Sequence, residues 1–139
     1  GTNNPQGGET NPQYPFGFGL SYTSFAYSNL TVNKNNFGPD ETATVSVTVR
    51  NTGNREGKEV IQLFVSDSIA SFTPDIKRLR GFDKISLQPG ESKTVSFTLP
   101  LRQLAFIGPD NKKHLEEGIF NLQVGNLRQS FNVNRTIVF

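Results

Sequence analysis

The sequence has 139 residues, no cysteine, no tryptophan and a formal net charge of +2. A chain of this length fits a single domain that buries roughly two thirds of its unfolded surface, so a core without disulfide bonds is feasible. The weak charge, a basic cluster (Lys77, Arg78 and Arg80) without interleaved aromatic residues, and apolar runs far shorter than about 20 residues argue against nucleic-acid binding and membrane insertion.

Residues 1–13 are rich in Asn, Gln, Gly and Pro, a composition typical of a linker without a core of its own. They are polar throughout and therefore do not resemble a secretory signal peptide. Because the sequence also lacks an initial methionine, we expect it to be a piece of a longer protein, although a processed mature chain would look the same. Any export signal of that protein is expected outside this sequence.

The next segment, residues 14–25, begins with "YPFGFGLSY" and is too apolar to be left in water. Pro15 restricts the backbone, whereas Gly17 and Gly19 permit conformations that other residues resist. We call residues 14–25 the docking strap and predict that its large side chains contact a neighbouring domain. The alternative is that they cover an open end of this chain's own domain. The side chains in question are Tyr14, Pro15, Phe16, Phe18, Leu20 and Tyr22.

Residues 26–139 are predicted to form the domain itself, because period-two alternation of apolar residues dominates them. Alternation is clearest in "ETATVSVTVRN" (41–51), "KTVSFTL" (93–99) and "IFNLQVG" (119–125). Residues 59–67, "EVIQLFVSD", are apolar on both faces, which predicts a central strand. The residues predicted to face inward are Ala43, Val45, Val47, Val49, Ile61, Leu63, Val65, Val95, Phe97, Leu99, Phe120, Leu122 and Val124.

Turn residues separate these strands at fairly even intervals, in "FGPDE", "RNTGN", "QPGES" and "GPDNKK". Pro89 and Gly90 suit the two central positions of a type II turn. Helix signals are nearly absent, and only "LRQLAF" (101–106) indicates a single helical turn. Seven or eight short strands with this spacing predict an all-β, antiparallel β-sandwich.

No catalytic residue, cofactor site or metal site is predicted in this chain. The single histidine, His114, lies beside a turn and is interpreted as a solvated or hydrogen-bonded surface residue. A zinc site would need carboxylates for its other ligands, and no G-x-S-x-G nucleophile turn occurs. "GFGLSY" lacks the third glycine of a dinucleotide loop. The acidic residues that could form a hydrolytic pair lie mostly in turns: Asp40, Glu41, Asp110, Glu116 and Glu117.

The aromatic residues leave a carbohydrate-binding sandwich open as an alternative. Twelve Phe and three Tyr supply aromatic area, although tryptophan is absent and most phenylalanines fall on positions predicted to face inward.

Several ordered blocks of the sequence resemble one family. Residues 14–30, "YPFGFGLSYTSFAYSNL", are similar to the segment that leads into the fibronectin type III-like domain ending many family 3 glycoside hydrolases, chiefly β-glucosidases. The family pattern P-F-G-aromatic-G-L-S-Y-T-x-F is filled without a gap by residues 15–25. "VTVRNTGNREGKEVIQLFVSD" (47–67) and "LRGFDKISLQPGESKTVSFTL" (79–99) resemble later blocks, as does "EEGIFNLQVG" (116–125).

The resemblance covers residues 14–133 and implies an immunoglobulin/fibronectin type III-like fold and a non-catalytic, accessory role. In the family, a retaining mechanism uses an aspartate nucleophile on a (β/α)8 barrel and usually a glutamate acid/base on a following α/β sandwich domain. Neither domain is present here, so no catalytic residue transfers to this chain. The implied partners are those two domains of a parent enzyme, which would itself act on a β-linked glucoside or oligosaccharide in the periplasm or outside the cell.

Two other functions stay open beside the accessory role: a carbohydrate-binding module and an extracellular protein-interaction domain. A further hypothesis concerns residues 66–77, "SDSIASFTPDIK", which are long for a hairpin connection. We predict that this loop reaches the rim of the parent's active site.

Overall fold

A computed structural model describes residues 23–68 and 76–139. This part of the chain is built from strands and one turn of 3-10 helix, which confirms the predicted all-β class, and none of its helices could cross a bilayer. The helical turn, η1, spans Leu101–Leu104 within the segment where one turn was predicted. The strands are β1 (Phe25–Val32), β2 (Asn36–Phe37), β3 (Thr42–Asn51), β4 (Gly57–Asp67), β5 (Arg78–Leu87), β6 (Ser92–Pro100), β7 (Phe106–Ile107), β8 (Lys113–Leu115), β9 (Gly118–Val124), β10 (Leu127–Val133) and β11 (Ile137–Val138).

Two sheets form the layers of the sandwich. One has the strand order β1-β3-β6 and the other the order β2-β10-β9-β4-β5, and all pairs are antiparallel except β2 with β10. Strand β4 lies between β9 and β5, so the prediction of a central strand is confirmed. A small third sheet, β11-β8-β7, includes residues beyond the stretch that resembles the family.

The core lies between the two sheets and is filled by alternate residues of the long strands. Every residue predicted to face inward is buried. Phe131 of β10 packs edge-on against Phe37 and stacks on Phe120, with ring centroids 5.3 and 5.6 Å apart. Each such side chain contributes about 1.5–3 kcal/mol when fully buried, so period-two burial is the main source of stability.

The turn between β5 and β6 has the geometry predicted from "QPGE". Gly90 has a φ of +77°, which a type II turn requires at its second central residue. The Glu91 N–H closes the turn by donating to the Gln88 carbonyl at 3.0 Å.

Among the described residues, Asn51 at the end of β3 is the only polar residue in the fully buried class. Its Oδ1 accepts hydrogen bonds from the Thr23 hydroxyl (2.7 Å) and the Gly53 N–H (2.9 Å). Its Nδ2 donates to the carbonyls of Arg55 (2.7 Å) and Leu87 (3.0 Å). Both donors and both acceptor positions of the amide are therefore used, which removes the penalty of burying it.

The backbone of Asn51 adds two further contacts to the β5–β6 turn. Its N–H donates to the Glu91 carbonyl, and its carbonyl accepts from the Gly90 N–H, both at 2.9 Å. Asn51 thus joins the segment before β1, the β3–β4 turn, the end of β5 and the β5–β6 turn.

Replacing Asn51 by Ala should lower the free energy of unfolding by about 2–4 kcal/mol, because several buried partners lose their hydrogen bonds. Urea denaturation of the 139-residue chain measures this. Asn51→Asp keeps the acceptor oxygens but places a carboxylate against two carbonyl oxygens. Its loss of unfolding free energy should be smaller at acidic pH, because a protonated carboxyl regains one donor.

The control is Asn54→Ala, which alters an exposed residue in the same turn and should change stability by less than about 0.5 kcal/mol. Equal losses for the Asn51 and Asn54 variants would show that the buried amide is not a stabilising junction.

Candidate docking surface

The outer side of β4 and β5 carries an exposed apolar surface. The exposed fractions are 46% for Val60, 46% for Leu79 and 67% for Phe82. Gln62 pairs with Phe82 and Phe64 with Leu79 across the two strands, which places these side chains on one side of the sheet. We call Val60, Gln62, Phe64, Leu79 and Phe82 the β4–β5 face.

This face arises because β4 is apolar on both sides while only one side meets the core. Ile61 and Leu63 are fully buried, whereas Val60 points outward. On β5, a Cβ at Gly81 would lie 2.9 Å from the Phe97 ring, so glycine allows close packing against the core at that point. The outward residue beside it is Phe82.

Phe82 is an exception to the expectation that most phenylalanines face inward. The rings of Phe37, Phe97, Phe120 and Phe131 are buried, but Phe82 is two-thirds exposed. The reason is its register, since it stands opposite the exposed Gln62 on the outer side of an edge strand.

The part of the face nearest β9 is partly covered by Lys77. Its Nζ lies 5.3 Å from the centroid of the Phe64 ring and donates a hydrogen bond to Gln123 Oε1 at 3.1 Å. The apolar area left exposed is therefore concentrated at Val60, Leu79 and Phe82.

The residues predicted to dock lie outside the described residues: Tyr14, Pro15, Phe16, Phe18, Leu20, Tyr22 and the permissive Gly17 and Gly19. Of the docking strap, only residues 23–25 are described. Phe25 is the first residue of β1, and Thr23 is fixed by its hydrogen bond to Asn51. A Cβ at Gly57, where β4 begins, would lie 2.2 Å from Thr23 Cγ2, so the strap joins the sandwich beside the start of β4. Residues 69–75 of the long loop are likewise outside the described residues, so its approach to an active site stays a prediction.

The side chain of His114 contacts two neighbouring side chains of the fold. Its Nε2 lies 2.7 Å from Asp110 Oδ1, and its ring stacks on Phe106 with centroids 5.6 Å apart. The hydrogen bond to His114 holds the pKa of the Asp110 carboxyl below its usual value. The side chain is only 13% exposed, so His114 is more buried than the predicted surface residue while still hydrogen-bonded.

The turn carboxylates join loops to one another. Asp40 contacts Arg102 at 2.8 Å and Arg135 at 3.7 Å. Glu41 forms an ion pair with Lys34, and that hydrogen bond lowers the pKa of Glu41. Within ranges 23–68 and 76–139, no group of three or more His, Cys, Asp or Glu residues could hold a metal ion.

Tyr27 and Glu59 form a contact that patterns in the sequence do not predict. The Tyr27 hydroxyl donates to Glu59 Oε2 at 2.9 Å and links β1 of one sheet to β4 of the other. Burial raises the pKa of Glu59, and the hydrogen bond from Tyr27 only partly opposes this rise. Burial and the nearby Glu59 also raise the pKa of Tyr27, which therefore stays a protonated donor.

The raised pKa of Glu59 predicts a pH-dependent stability. A raised folded-state pKa gives a stabilising contribution that is complete below the unfolded value, about 4.3, and is lost as the pH rises through the folded value. Glu59→Gln keeps an acceptor for Tyr27 without a charge. We expect its stability relative to the parent chain to increase as the pH rises from about 4 to 7.

Urea denaturation at several pH values measures this difference. Glu56→Gln, a change at an exposed residue nearby, is the control. A constant difference between the Glu59 variant and the parent chain across this range would refute the assignment.

Comparisons with known proteins agree with this architecture. A family model described as a fibronectin type III-like domain matches residues 59–127. The chain therefore contains a fibronectin type III-like domain. It is 46% identical over 114 residues to a periplasmic β-glucosidase of Salmonella typhimurium, covering 82% of this chain and 15% of that protein. A β-xylosidase of Formosa agariphila is also 46% identical over 114 residues, with coverages of 82% and 16%.

A solved structure gives the same result for this fibronectin type III-like domain. The crystal structure of a GH3 β-glucosidase of Bifidobacterium adolescentis superimposes with a TM-score of 0.74 at 34% identity, covering 87% of this chain and 18% of that one. The resemblance to the domain of family 3 glycoside hydrolases is thereby confirmed. The chain spans less than a fifth of the length of these relatives.

Proposed function

We propose that this chain is a non-catalytic accessory domain that braces the neighbouring domains of a larger, β-glucosidase-type glycoside hydrolase. The β4–β5 face carries the proposal, because it exposes three large apolar side chains together on one side of a sheet. The similarity to small parts of much longer enzymes supports it. The proposed partners are a catalytic barrel and an α/β sandwich domain that hold the residues of a retaining mechanism.

The parent's setting is part of the same proposal. Its substrate would be a β-linked glucoside or oligosaccharide, although a β-xylosidase among the relatives means that this domain does not define the sugar. A periplasmic or secreted location is supported by the periplasmic β-glucosidase relative.

The energetics favour docking within one polypeptide. Val60, Leu79 and Phe82 are each one-third to a little over half buried in the isolated domain, so completing their burial contributes about 1–1.5 kcal/mol apiece. Such a sum is too small to hold two separate proteins together against the loss of translational freedom. It suffices when a linker already keeps the partners close.

The docking strap would supply the remaining adhesive area. In this proposal Tyr14, Phe16, Phe18, Leu20 and Tyr22 contact the same neighbouring domain, while Pro15, Gly17 and Gly19 set the backbone path. The Thr23–Asn51 hydrogen bond supports the proposal, because it fixes the point from which the strap departs.

Replacing Phe16 and Phe18 by Ser should lower the melting temperature of the full-length polypeptide by several degrees, because two docking side chains lose their burial. The same substitutions should leave the 139-residue chain unchanged. Differential scanning calorimetry of both proteins measures the shifts.

Val138→Ser is the matched control, since Val138 is 49% exposed on β11. An equal drop in both proteins would instead assign the strap to this domain's own surface.

The 139-residue chain should neither hydrolyse nor bind glucosides. We expect no turnover of aryl β-glucosides and no retardation in affinity gels containing β-glucan or xyloglucan. Turnover at an enzymatic rate would refute the accessory function.

Carbohydrate binding is the second candidate, and the exposed Phe82 beside the Gln62 amide favours it as a possible stacking platform. Retardation that disappears in Phe82→Ala would support this alternative.

A further inference from the structure

A cleft of about 430 Å³ lies at one end of the sandwich, between the last residues of β4, the first residues of β5 and the η1–β7 segment. It is separate from the outward β4–β5 face, because its lining includes core residues of the inner side. The lining residues that bear on its chemistry are Asp67, Ile76, Arg78, Arg80, Leu104 and Ile107.

The two arginines share this cleft with the carboxylate of Asp67. Within the described ranges, neither Arg78 nor Arg80 forms an ion pair. The Arg80 Nε atom is buried and has no hydrogen-bond partner among the described residues. Burial, and secondarily the charge of Arg78, lowers the pKa of Arg80. The Arg80 Nε–H donor and its guanidinium charge are thus partly removed from water without a compensating hydrogen bond. A bound acceptor would supply that hydrogen bond.

Exposed aliphatic side chains lie beside these cations in the cleft. Ile76 and Ile107 are 45% and 56% exposed, whereas Leu104 lies buried below them. Two guanidinium groups beside exposed aliphatic side chains are complementary to an occupant that has a carboxylate next to an apolar group. The neutral hydroxyls of a sugar would leave the charge of the arginines uncompensated.

We infer that this cleft is the docking socket for an apolar segment carrying one carboxylate, contributed by the neighbouring domain of the same polypeptide. The inference rests on the proposed function and names the chemistry of the partner surface. The carboxylate accepts hydrogen bonds from Arg78 and Arg80, a geometry that guanidinium groups bind strongly. The apolar residues beside it cover Ile76 and Ile107.

The test compares Arg80→Met and Arg78→Met in the full-length polypeptide and in the 139-residue chain. Methionine keeps much of the side-chain volume but removes the charge and the donors. In the full-length polypeptide each change should lower the melting temperature by at least about 2 °C. In the 139-residue chain, Arg80→Met should leave the melting temperature unchanged or raise it, because an uncompensated buried donor is removed.

Arg128→Met, at an exposed residue of β10, is the matched control and should change neither protein. Arginine variants that leave the full-length polypeptide unaltered, or lower both proteins equally, overturn the socket. If the strap variants still destabilise the full-length polypeptide in that case, the accessory function remains supported and only the docking socket is refuted.

A small free anion is the competing occupant. Millimolar inorganic phosphate should not raise the melting temperature of the 139-residue chain. A rise that is abolished by Arg80→Met would overturn the socket and assign the cleft to such an anion.

Discussion

The buried amide of Asn51 is the constraint on which the arrangement of this domain depends. Its four side-chain hydrogen bonds connect Thr23 in the segment before β1, the β3–β4 turn and the end of β5. A buried amide is tolerated only when all of its groups are paired, so each of these segments is held by the requirements of the others. The position of Thr23 is therefore set by the fold.

The two-layer sandwich also explains why an apolar surface remains. Each sheet buries one face against the other, and alternate residues of β3, β6 and β9 fill that space. Strand β4 is apolar on both sides, so its outer residues cannot be covered by the second layer. Nor does another described strand pair with the outer edge of β5. A domain that worked alone would favour polar residues at Val60, Leu79 and Phe82, since exposed apolar patches promote association.

The features predicted from the sequence are those set by local pattern. Period-two alternation identified many of the inward residues of the long strands, and "QPGE" identified the turn in which Gly90 takes a positive φ. The contacts missed by that analysis join residues far apart: Thr23 with Asn51, and Tyr27 with Glu59, are separated by 28 and 32 positions. Alternation also could not reveal Arg80 as an unpaired donor, because pairing depends on which side chains the fold brings together. The composition of the docking strap indicates that its large apolar side chains avoid water, but it does not identify the residues that they contact.

The apolar face and the arginine cleft would make different contributions to one interface. Apolar burial is non-directional, so the β4–β5 face could adhere in several orientations with similar free energy. Guanidinium–carboxylate pairs have a fixed geometry and penalise a misplaced partner by leaving a charge desolvated. Arg80 is already partly desolvated in this domain. Part of the desolvation cost that usually offsets the gain from an interfacial ion pair has therefore been incurred on folding. In the proposed interface this would make the pairing more favourable and would select one orientation of this domain against its neighbour.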